Sequence, residues 1–201
     1  MAIDNQLRQE QAGYRCGRSC NDQIFTLRQI TEKTTVWQRP VIMHFIDFMK
    51  ASNCIHCKSL WCILKKYGIP RDVIVIIQNL SDEGQSAVKW SGTIGEWFKV
   101  MTGVRQGCIL SPILFAFVMN WTMRKALSDT DIRLEWTHGS KLSDLDYADD
   151  IVLLDSSRDR RQSMTEAVEN EGRKVKLIMN QKKCKVMVSN AWEDSEEIKI
   201  G

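Results

Sequence analysis

Three aspartates stand at positions where a carboxylate needs an explanation. Asp47 ends the apolar run 41–46, and Asp149 and Asp150 stand side by side directly before the apolar run 151–154. Adjacent anions repel, and a divalent cation such as Mg²⁺ relieves the repulsion because it binds carboxylates together with substrate phosphates. If the two strands are neighbours, the three carboxylates form a two-metal site for in-line phosphoryl or nucleotidyl transfer. The alternative is a turn that simply favours aspartate.

Cysteines offer a second chemistry. The chain has seven, an odd number that fits reduced thiols better than a disulfide framework. Cys16 with Cys20 and Cys54 with Cys57 form close pairs, with Cys62 behind, and four thiolates are able to hold a structural zinc ion. The first pair is separated by three residues instead of two, and no His-x-x-x-His pair completes a site. Unpaired thiols are the favoured interpretation, and a cysteine-based zinc module is the rival.

The elements expected to position these residues alternate irregularly. Apolar spacing and capping residues predict helices over 21–37, 58–67, 71–80, 111–127 and 158–179. Apolar or alternating runs predict strands over 41–48, 132–136, 141–147, 151–154, 185–189 and 197–200, with a hairpin formed by 86–90 and 96–100. Ser111 is expected to cap the fourth helix, with Pro112 in its first turn. These elements predict an α+β fold around a mostly antiparallel sheet.

Composition excludes several classes of protein. The chain has 201 residues, 43% of them hydrophobic, and 28 basic against 25 acidic side chains give a net charge of +3. These values are typical of one globular domain and exclude an intrinsically disordered chain. No run approaches the roughly 18–20 apolar residues that span a bilayer, and the first ten residues contain no apolar signal segment. We therefore expect an intracellular protein, nuclear or cytoplasmic, with no membrane partner and an undetermined oligomeric state.

Five short segments, in order across nearly the whole chain, resemble the reverse transcriptase domain of non-LTR (LINE-like) retrotransposons. They are QAGYRCGRS at 11–19, FIDFMKA at 45–51, GVRQGCILSPILF at 103–115, YADD at 147–150 and NQKKCK at 180–185. The YADD tetrapeptide alone is a weak signal, whereas the ordered set is specific. The resemblance implies a polymerase palm, with a mostly antiparallel sheet flanked by helices, plus partial fingers and no thumb.

The same resemblance divides the chain into regions. It implies one partial reverse transcriptase domain over 1–201. Residues 1–40 are then part of the fingers, and residues 41–201 are the palm with a fingers insertion around 58–100. A palm with partial fingers offers few phosphate contacts, so weak nucleic-acid binding and poor extension are expected.

The resemblance also implies an activity and its catalytic residues. Asp47, Asp149 and Asp150 would hold two Mg²⁺ ions, with Mn²⁺ as a substitute, and Lys183 would protonate the leaving pyrophosphate. The implied reaction transfers a nucleotidyl group from a dNTP to the 3′-hydroxyl of a DNA primer on an RNA template. A solvated basic run is the rival interpretation of Lys183. A non-catalytic retrotransposon remnant that binds nucleic acid weakly is the rival function.

The remaining implied site residues bind nucleotide or template. Arg15 and Arg18 would clamp the triphosphate, for which a guanidinium group has suitable geometry. Gln106 and Gly107 would let the backbone approach the nucleotide closely. Solvated loop arginines and a plain turn are the respective alternatives. Ser52 stands where the family has an aromatic residue beneath the incoming sugar, so we expect ribonucleotides to be excluded less well.

Overall fold

Helices and strands follow one another without a repeating unit along the residues that the computed structural model describes, which are 4–82, 85–99, 103–104, 107–128, 134–137 and 140–190. The α-helices are α1 (Cys20–Val36), α2 (Ala51–Cys54), α3 (Cys57–Lys66), α4 (Arg71–Asp82), α5 (Ser111–Ala126) and α6 (Arg158–Lys174). The strands are β1 (Val41–Ile46), β2 (Gln85–Ser86), β3 (Lys89–Trp90), β4 (Thr93–Ile94), β5 (Phe98–Lys99), β6 (Leu134–Thr137), β7 (Ser140–Leu142), β8 (Asp144–Tyr147), β9 (Asp150–Asp155) and β10 (Lys185–Ser189). This mixture confirms the predicted α+β fold. None of the helices in these ranges is long and apolar enough to cross a bilayer.

The central element is a four-stranded antiparallel sheet in the order β10-β1-β9-β8. The two most apolar strands, β1 and β9, lie in the middle, with Ile46 opposite Ile151. Strands β8 and β9 are joined by a two-residue turn, because Tyr147 pairs with Asp150. The strand predicted over 185–189 is confirmed as β10, which pairs with β1.

Both faces of the sheet are covered at β9, as the continuous apolar run of that strand predicts. Ile151 and Leu153 pack with buried residues of α3, α5 and α6 on one face. Val152 and Leu154 pack on the other face with Ile30 of α1 and with β6. Because side chains alternate along a strand, β9 contributes to two separate apolar clusters and is fixed from both sides.

Helix α1 begins one residue before its predicted range, and α5 begins at Ser111 as predicted, although Ser111 is not its cap. Ser19 Oγ accepts from the Asp22 amide at 3.3 Å, and the Asp22 carboxylate accepts from the Ser19 amide at 2.8 Å, which is a capping box. Ser111, predicted to be a cap, is instead the first helical residue of α5. The Leu114 amide donates to the Leu110 carbonyl at 3.0 Å, so the helical bonding begins one residue earlier.

Helix α6 ends well before residue 179, where the apolar pattern predicted its end. The amide of Leu177 donates to the Gly172 carbonyl at 2.9 Å, and Lys176 adopts a left-handed φ of +66°. This left-handed residue ends the helix in the way that glycine usually does. Residues 175–179 then alternate between buried and exposed, a period of two that belongs to extended chain.

The predicted strand over 141–147 is two strands in the structure. Strand β7 pairs with β6 in a separate ribbon, while β8 pairs with β9 in the central sheet. The chain therefore changes its pairing partner at Ser143.

The hairpin predicted within 86–100 is confirmed as two nested pairs, β2 with β5 and β3 with β4. The predicted strand over 197–200 and residues 132 and 133 of another lie outside the described residues.

Candidate active site

The three aspartates come together at one edge of the sheet. Because Ile46 pairs with Ile151 in an antiparallel ladder, the residue after Ile46 lies beside the residue before Ile151. These two residues are Asp47 and Asp150. Asp149 occupies the turn that joins β8 to β9. The arrangement of neighbouring strands on which the metal-site hypothesis depends is therefore present.

The carboxylates act on one another through their charges. The pKa of Asp150 is raised above its ordinary value, first by burial and then by the negative charges of Asp149 and Asp47, while Lys183 lowers it. Asp47 Oδ2 is buried and has no hydrogen-bond partner. The repulsion and the unsatisfied acceptor both favour a cation at this edge.

The donor set fits a hard divalent cation. Asp47, Asp149 and Asp150 offer only carboxylate oxygens, which suit Mg²⁺ and Mn²⁺. Among the described residues, no three Asp, Glu, His or Cys side chains are close enough together to hold a metal ion by themselves. In this conformation the three aspartates therefore do not form a complete site, and a bound Mg²⁺ would need further ligands, which substrate phosphates commonly supply.

The seven cysteines lie at exposed or partly buried positions. Four of the seven, Cys16, Cys20, Cys62 and Cys108, are exposed. The absence of a group of three potential metal ligands among the described residues applies to the cysteines and to the aspartates alike.

Two residues in the loop before β10 contact Asp47. Lys183 Nζ lies 3.6 Å from Asp47 Oδ1, and the lysine side chain is 68% exposed. The Asp47 amide donates to Cys184 Sγ at 3.5 Å, and the Cys184 thiol donates to the Asp47 carbonyl at 3.8 Å. Burial raises the pKa of this thiol. Cys184 thus fixes the Asp47 backbone, and Lys183 lies at the site with its proposed proton transfer still a prediction.

A pocket of about 370 Å³ opens beside the aspartate turn. Its wall includes Tyr14, Ser52, Gly107, Phe115 and Asp149. Burial and the charge of Asp149 both raise the pKa of the Tyr14 phenol, as expected for a ring close to that carboxylate. Gly107 has a φ of +83°, a conformation that glycine adopts without strain. Two predicted nucleotide-site residues, Ser52 and Gly107, therefore share one pocket with a predicted metal ligand.

Arg15, predicted to clamp a triphosphate, is engaged elsewhere. Its five guanidinium N–H groups donate to the carboxylate and carbonyl of Asp4 and to the carbonyls of Arg8 and Gln11. In this conformation Arg15 has no N–H group left for a ligand. Its role as a clamp stays a prediction that requires these bonds to be exchanged.

Two further residues, Arg18 and Gln106, are predicted to contact nucleotide or template. Arg18 is exposed and donates to Gln9 Oε1 at 2.5 Å, outside the pocket wall. Gln106 lies outside the described residues. Both assignments stay predictions.

Gln11 contacts the aspartate turn, and no sequence pattern marked this contact. Its Nε2 donates to the Ala148 carbonyl at 3.1 Å, and its Oε1 accepts from the amides of Ala148 at 2.9 Å and Gly13 at 2.7 Å. Neither charge nor apolar periodicity distinguishes a buried glutamine from an exposed one. Membership of the QAGY segment was the only available signal.

Behind the turn, a buried ion cluster joins the N-terminal segment to β8. The Arg8 guanidinium pairs with the fully buried side chains of Asp144 and Asp146. Burial and the charge of Asp144 raise the pKa of Asp146 well above its ordinary value, while Arg8 lowers it. Two aspartates two residues apart on a predicted strand share one face, and this spacing could have indicated a buried counter-charge.

Comparison with known proteins identifies one family. Residues 1–200 match the family model described as reverse transcriptase (RNA-dependent DNA polymerase). The retrovirus-related Pol polyprotein from the type-1 retrotransposable element R2 of Nasonia vitripennis is 26% identical over 155 residues, covering 77% of this chain and 15% of that protein. The Pol polyprotein from the type-2 element R2DM of Drosophila melanogaster is 29% identical over 140 residues, covering 69% and 13%. The chain thus spans less than a sixth of these relatives.

Solved structures share the fold. Apo telomerase from Candida tropicalis, truncated from its C-terminal domain, aligns with a TM-score of 0.68 at 20% identity, covering 96% of this chain and 40% of that one. Telomerase from the same organism in complex with a TWJ fragment of telomeric RNA aligns with a TM-score of 0.65 at 17% identity, covering 90% and 30%. Together with the family match over nearly the whole chain, these findings confirm the resemblance predicted from the ordered segments: the chain belongs to the reverse transcriptase (RNA-dependent DNA polymerase) family and is similar to the Pol polyproteins of R2 non-LTR elements.

Proposed function

We propose that this chain is the partial catalytic domain of an RNA-directed DNA polymerase. The proposed reaction transfers a nucleotidyl group from a dNTP to the 3′-hydroxyl of a primer paired with an RNA template. The observation that carries the proposal is the placement of Asp47 beside Asp149 and Asp150 on neighbouring antiparallel strands, next to a pocket of about 370 Å³. The membership of the reverse transcriptase family supports the same reaction.

The proposed metal ligands are Asp47, Asp149 and Asp150, and the proposed ions are two Mg²⁺, replaceable by Mn²⁺. When bound, such ions supply positive charge that lowers the pKa of the attacking hydroxyl and neutralises the phosphates. The buried Asp47 Oδ2 without a hydrogen-bond partner and the raised pKa of Asp150 support this assignment.

Residues of the chain then position the nucleotide, and one of them donates a proton. The pocket wall at Ser52 and Gly107 would receive the sugar and base beside Asp149. Lys183, 3.6 Å from Asp47 and mainly exposed, can donate the proton that the departing pyrophosphate requires. The exposed loop arginine Arg18 is proposed to bind the triphosphate, since its guanidinium donates to the uncharged side chain of Gln9 and not to a carboxylate.

The proposed partners are an RNA template and a DNA primer. The basis is the family itself, and one similar telomerase was solved in complex with an RNA fragment. We further propose that 1–40 belongs to the fingers and 41–201 to the palm, with a fingers insertion around 58–100. The central sheet of β10, β1, β9 and β8 lies within the proposed palm, which supports this division.

Primer extension on an RNA template tests the proposal. Asp149→Asn removes one carboxylate charge with little change in shape, so we expect extension with Mg²⁺ to fall by roughly 100-fold or more, a typical effect for a group that stabilises transition-state charge. Asp159→Asn, an exposed position in the first turn of α6, is the matched control and should extend like the parent chain. Omitting the divalent cation should abolish extension.

Two outcomes would contradict the proposal. Extension that survives Asp149→Asn would exclude the assigned mechanism. Absence of extension by the parent chain, together with salt-sensitive binding to a primer–template duplex, would favour the non-catalytic remnant.

A further inference from the structure

The turn that carries Asp149 contains a residue in an unfavourable backbone conformation. Ala148 has a φ of +58°, whereas the φ of Asp149 is not positive. With Tyr147 opposite Asp150, this is the φ pattern of a type II′ turn, whose first central position usually belongs to glycine. An alanine there is strained, and such strain persists only where the surrounding structure holds it in place.

Gln11 supplies this restraint with both ends of its side-chain amide. Nε2 donates to the Ala148 carbonyl and Oε1 accepts from the Ala148 amide, so one side chain fixes both backbone polar groups of the strained residue. The Gly13 amide donates to the same Oε1 and thereby fixes the orientation of the glutamine. Gln11 is 0% exposed, so water does not compete for these bonds.

The backbone beside Gln11 fits closely against the turn. A Cβ added to Gly13 would lie 2.2 Å from the Ala148 amide nitrogen, so only glycine allows this approach. The Ala12 amide donates to the Asp146 carbonyl at 2.9 Å, and Gln11 forms a parallel bridge with Asp146. The N-terminal segment therefore lies along the edge of β8 and brings Gln11 to the turn.

We propose that Gln11 is a positioning residue for the metal site. By holding Ala148 in its left-handed conformation, it fixes where Asp149 and Asp150 project and thereby sets the affinity for divalent metal. Adjacent carboxylates repel each other, so a turn without this restraint relaxes by moving them apart. The inference rests on the proposed function, because it concerns the same carboxylates.

The competing explanation is that Gln11 only attaches the N-terminal segment to the sheet. Gln23 provides a matched control for that role. Its Nε2 donates to the carbonyls of Glu10 at 2.9 Å and Asp146 at 3.2 Å, at the same junction but away from the turn. A purely structural tie predicts that any change in metal affinity follows the loss of stability in each variant, whereas a positioning role predicts that Gln11→Met loses more affinity than its stability accounts for.

The experiment uses the full chain and two readouts. Gln11→Met and Gln23→Met are compared with the parent by Mn²⁺ titration, followed by electron paramagnetic resonance, at a temperature at which circular dichroism shows all three folded. We expect Gln11→Met to weaken Mn²⁺ binding by roughly 10–100-fold, the usual effect of losing a group that orients metal ligands, and Gln23→Met to leave it unchanged. Without metal, hydrogen exchange at the Ala148 amide should accelerate in Gln11→Met only.

A second pair of variants tests the route of the effect. Glycine adopts a positive φ readily, so Ala148→Gly should make Gln11 less necessary, and Gln11→Met should weaken Mn²⁺ binding less in that background. If Gln11→Met does not fold, Gln11→Asn replaces it, because the shorter amide stays neutral and polar but cannot reach both backbone groups of Ala148 as Gln11 does. An intermediate loss of affinity is then expected.

The outcomes separate the two proposals. Equal Mn²⁺ affinity in Gln11→Met and the parent, with Asp149→Asn impaired, would overturn the positioning role and leave the proposed function standing. Strictly additive effects of Gln11→Met and Ala148→Gly would overturn the route through Ala148. A parent chain that binds no Mn²⁺ would overturn the metal assignment itself.

Discussion

At the scale of single residues, His44 shows how burial changes a protonation equilibrium. It lies in β1, is 1% exposed, and its Nδ1 is 2.8 Å from Thr165 Oγ1. The Thr165 hydroxyl donates to the Arg161 carbonyl at 3.0 Å, so it accepts from His44 Nδ1–H. Burial, aided by the positive charge of Arg161, lowers the pKa of His44 to about 4.

This shift predicts a pH-dependent stability. Between pH 4 and pH 6.5 the unfolded chain binds a proton at His44 that the folded chain does not, so the free energy of unfolding decreases as the pH falls through this window. We expect His44 to contribute a loss of about 2 kcal/mol between pH 7.5 and pH 5. Urea unfolding at both pH values, in the parent chain and in His44→Gln, measures it.

The His44→Gln variant separates the contribution of His44 to the loss of stability from the contributions of the acidic residues. His44→Gln keeps a side-chain amide that can donate to Thr165 but cannot titrate, so its loss of stability on acidification should be smaller than the parent's. Equal losses in both proteins would show that His44 is not the group responsible.

The candidate aspartates could be singled out because their sequence context is unusual, whereas the contacts that surround them could not. Asp47, Asp149 and Asp150 interrupt apolar runs that a sheet buries, and a carboxylate there is conspicuous. Arg15 and Gln11 carry no comparable signal. Their partners lie in tertiary structure, and a short polar segment does not reveal which of its side chains will be buried.

At the scale of elements, the junction between the N-terminal segment and β8 contains one buried positive charge, Arg8, with two negative partners. Arg8→Met leaves Asp144 and Asp146 buried without a counter-charge, since Arg8 pairs with both. We expect the free energy of unfolding at pH 7 to fall by about 3–5 kcal/mol, the usual cost of breaking a buried ion pair from one side. Urea unfolding measures this loss.

Replacing the two buried carboxylates of Asp144 and Asp146 by neutral amides should recover most of that stability. We expect the triple variant Arg8→Met, Asp144→Asn, Asp146→Asn to be more stable than Arg8→Met alone, because neutral amides cost less to bury than carboxylates. Arg28→Met, which breaks an exposed pair with Glu32 on α1, is the control and should change stability little. A triple variant no more stable than Arg8→Met would show that packing, and not charge, holds this junction.

The sequence predicted which elements exist more reliably than where they end. α1 begins within one residue of its predicted start because Ser19 and Asp22 bond to each other locally. The end of α6 was missed because Val175, Leu177 and Met179 fit both a helical and an extended apolar pattern over so short a stretch. The division of 141–147 into β7 and β8 depends on different partner strands, which a local pattern does not contain.

At the scale of the whole molecule, the number of exposed lysines near the aspartates sets how strongly nucleic acid can bind there. Lys50, Lys182, Lys183 and Lys185 are exposed on the two segments that flank Asp47. We assume that each of these lysines contacts one phosphate. A plot of the logarithm of the primer–template association constant against the logarithm of the salt concentration then has a slope of about −3 to −4. We expect weak binding with this slope, measured by fluorescence anisotropy.

Single lysine variants test how many phosphate contacts these lysines make. Lys182→Gln should make the slope shallower by about 1, because one fewer counterion is released. Lys174→Gln on α6, paired with Glu171, should leave it unchanged. A slope that does not respond to Lys182→Gln would place the nucleic acid on another surface.

The contact between Gln11 and Ala148 joins residues 137 positions apart, and this separation governs when the site can form. Closing a loop of that length costs about 4 kcal/mol of chain entropy, whereas the two-residue turn between β8 and β9 closes locally. During synthesis at roughly 5–20 residues per second, the N-terminal segment leaves the ribosome about 10 s before its binding site on the turn exists. The turn between β8 and β9 can therefore form as soon as its own residues are synthesised, whereas the proposed positioning of Asp149 and Asp150 also requires the distant N-terminal segment to reach the turn.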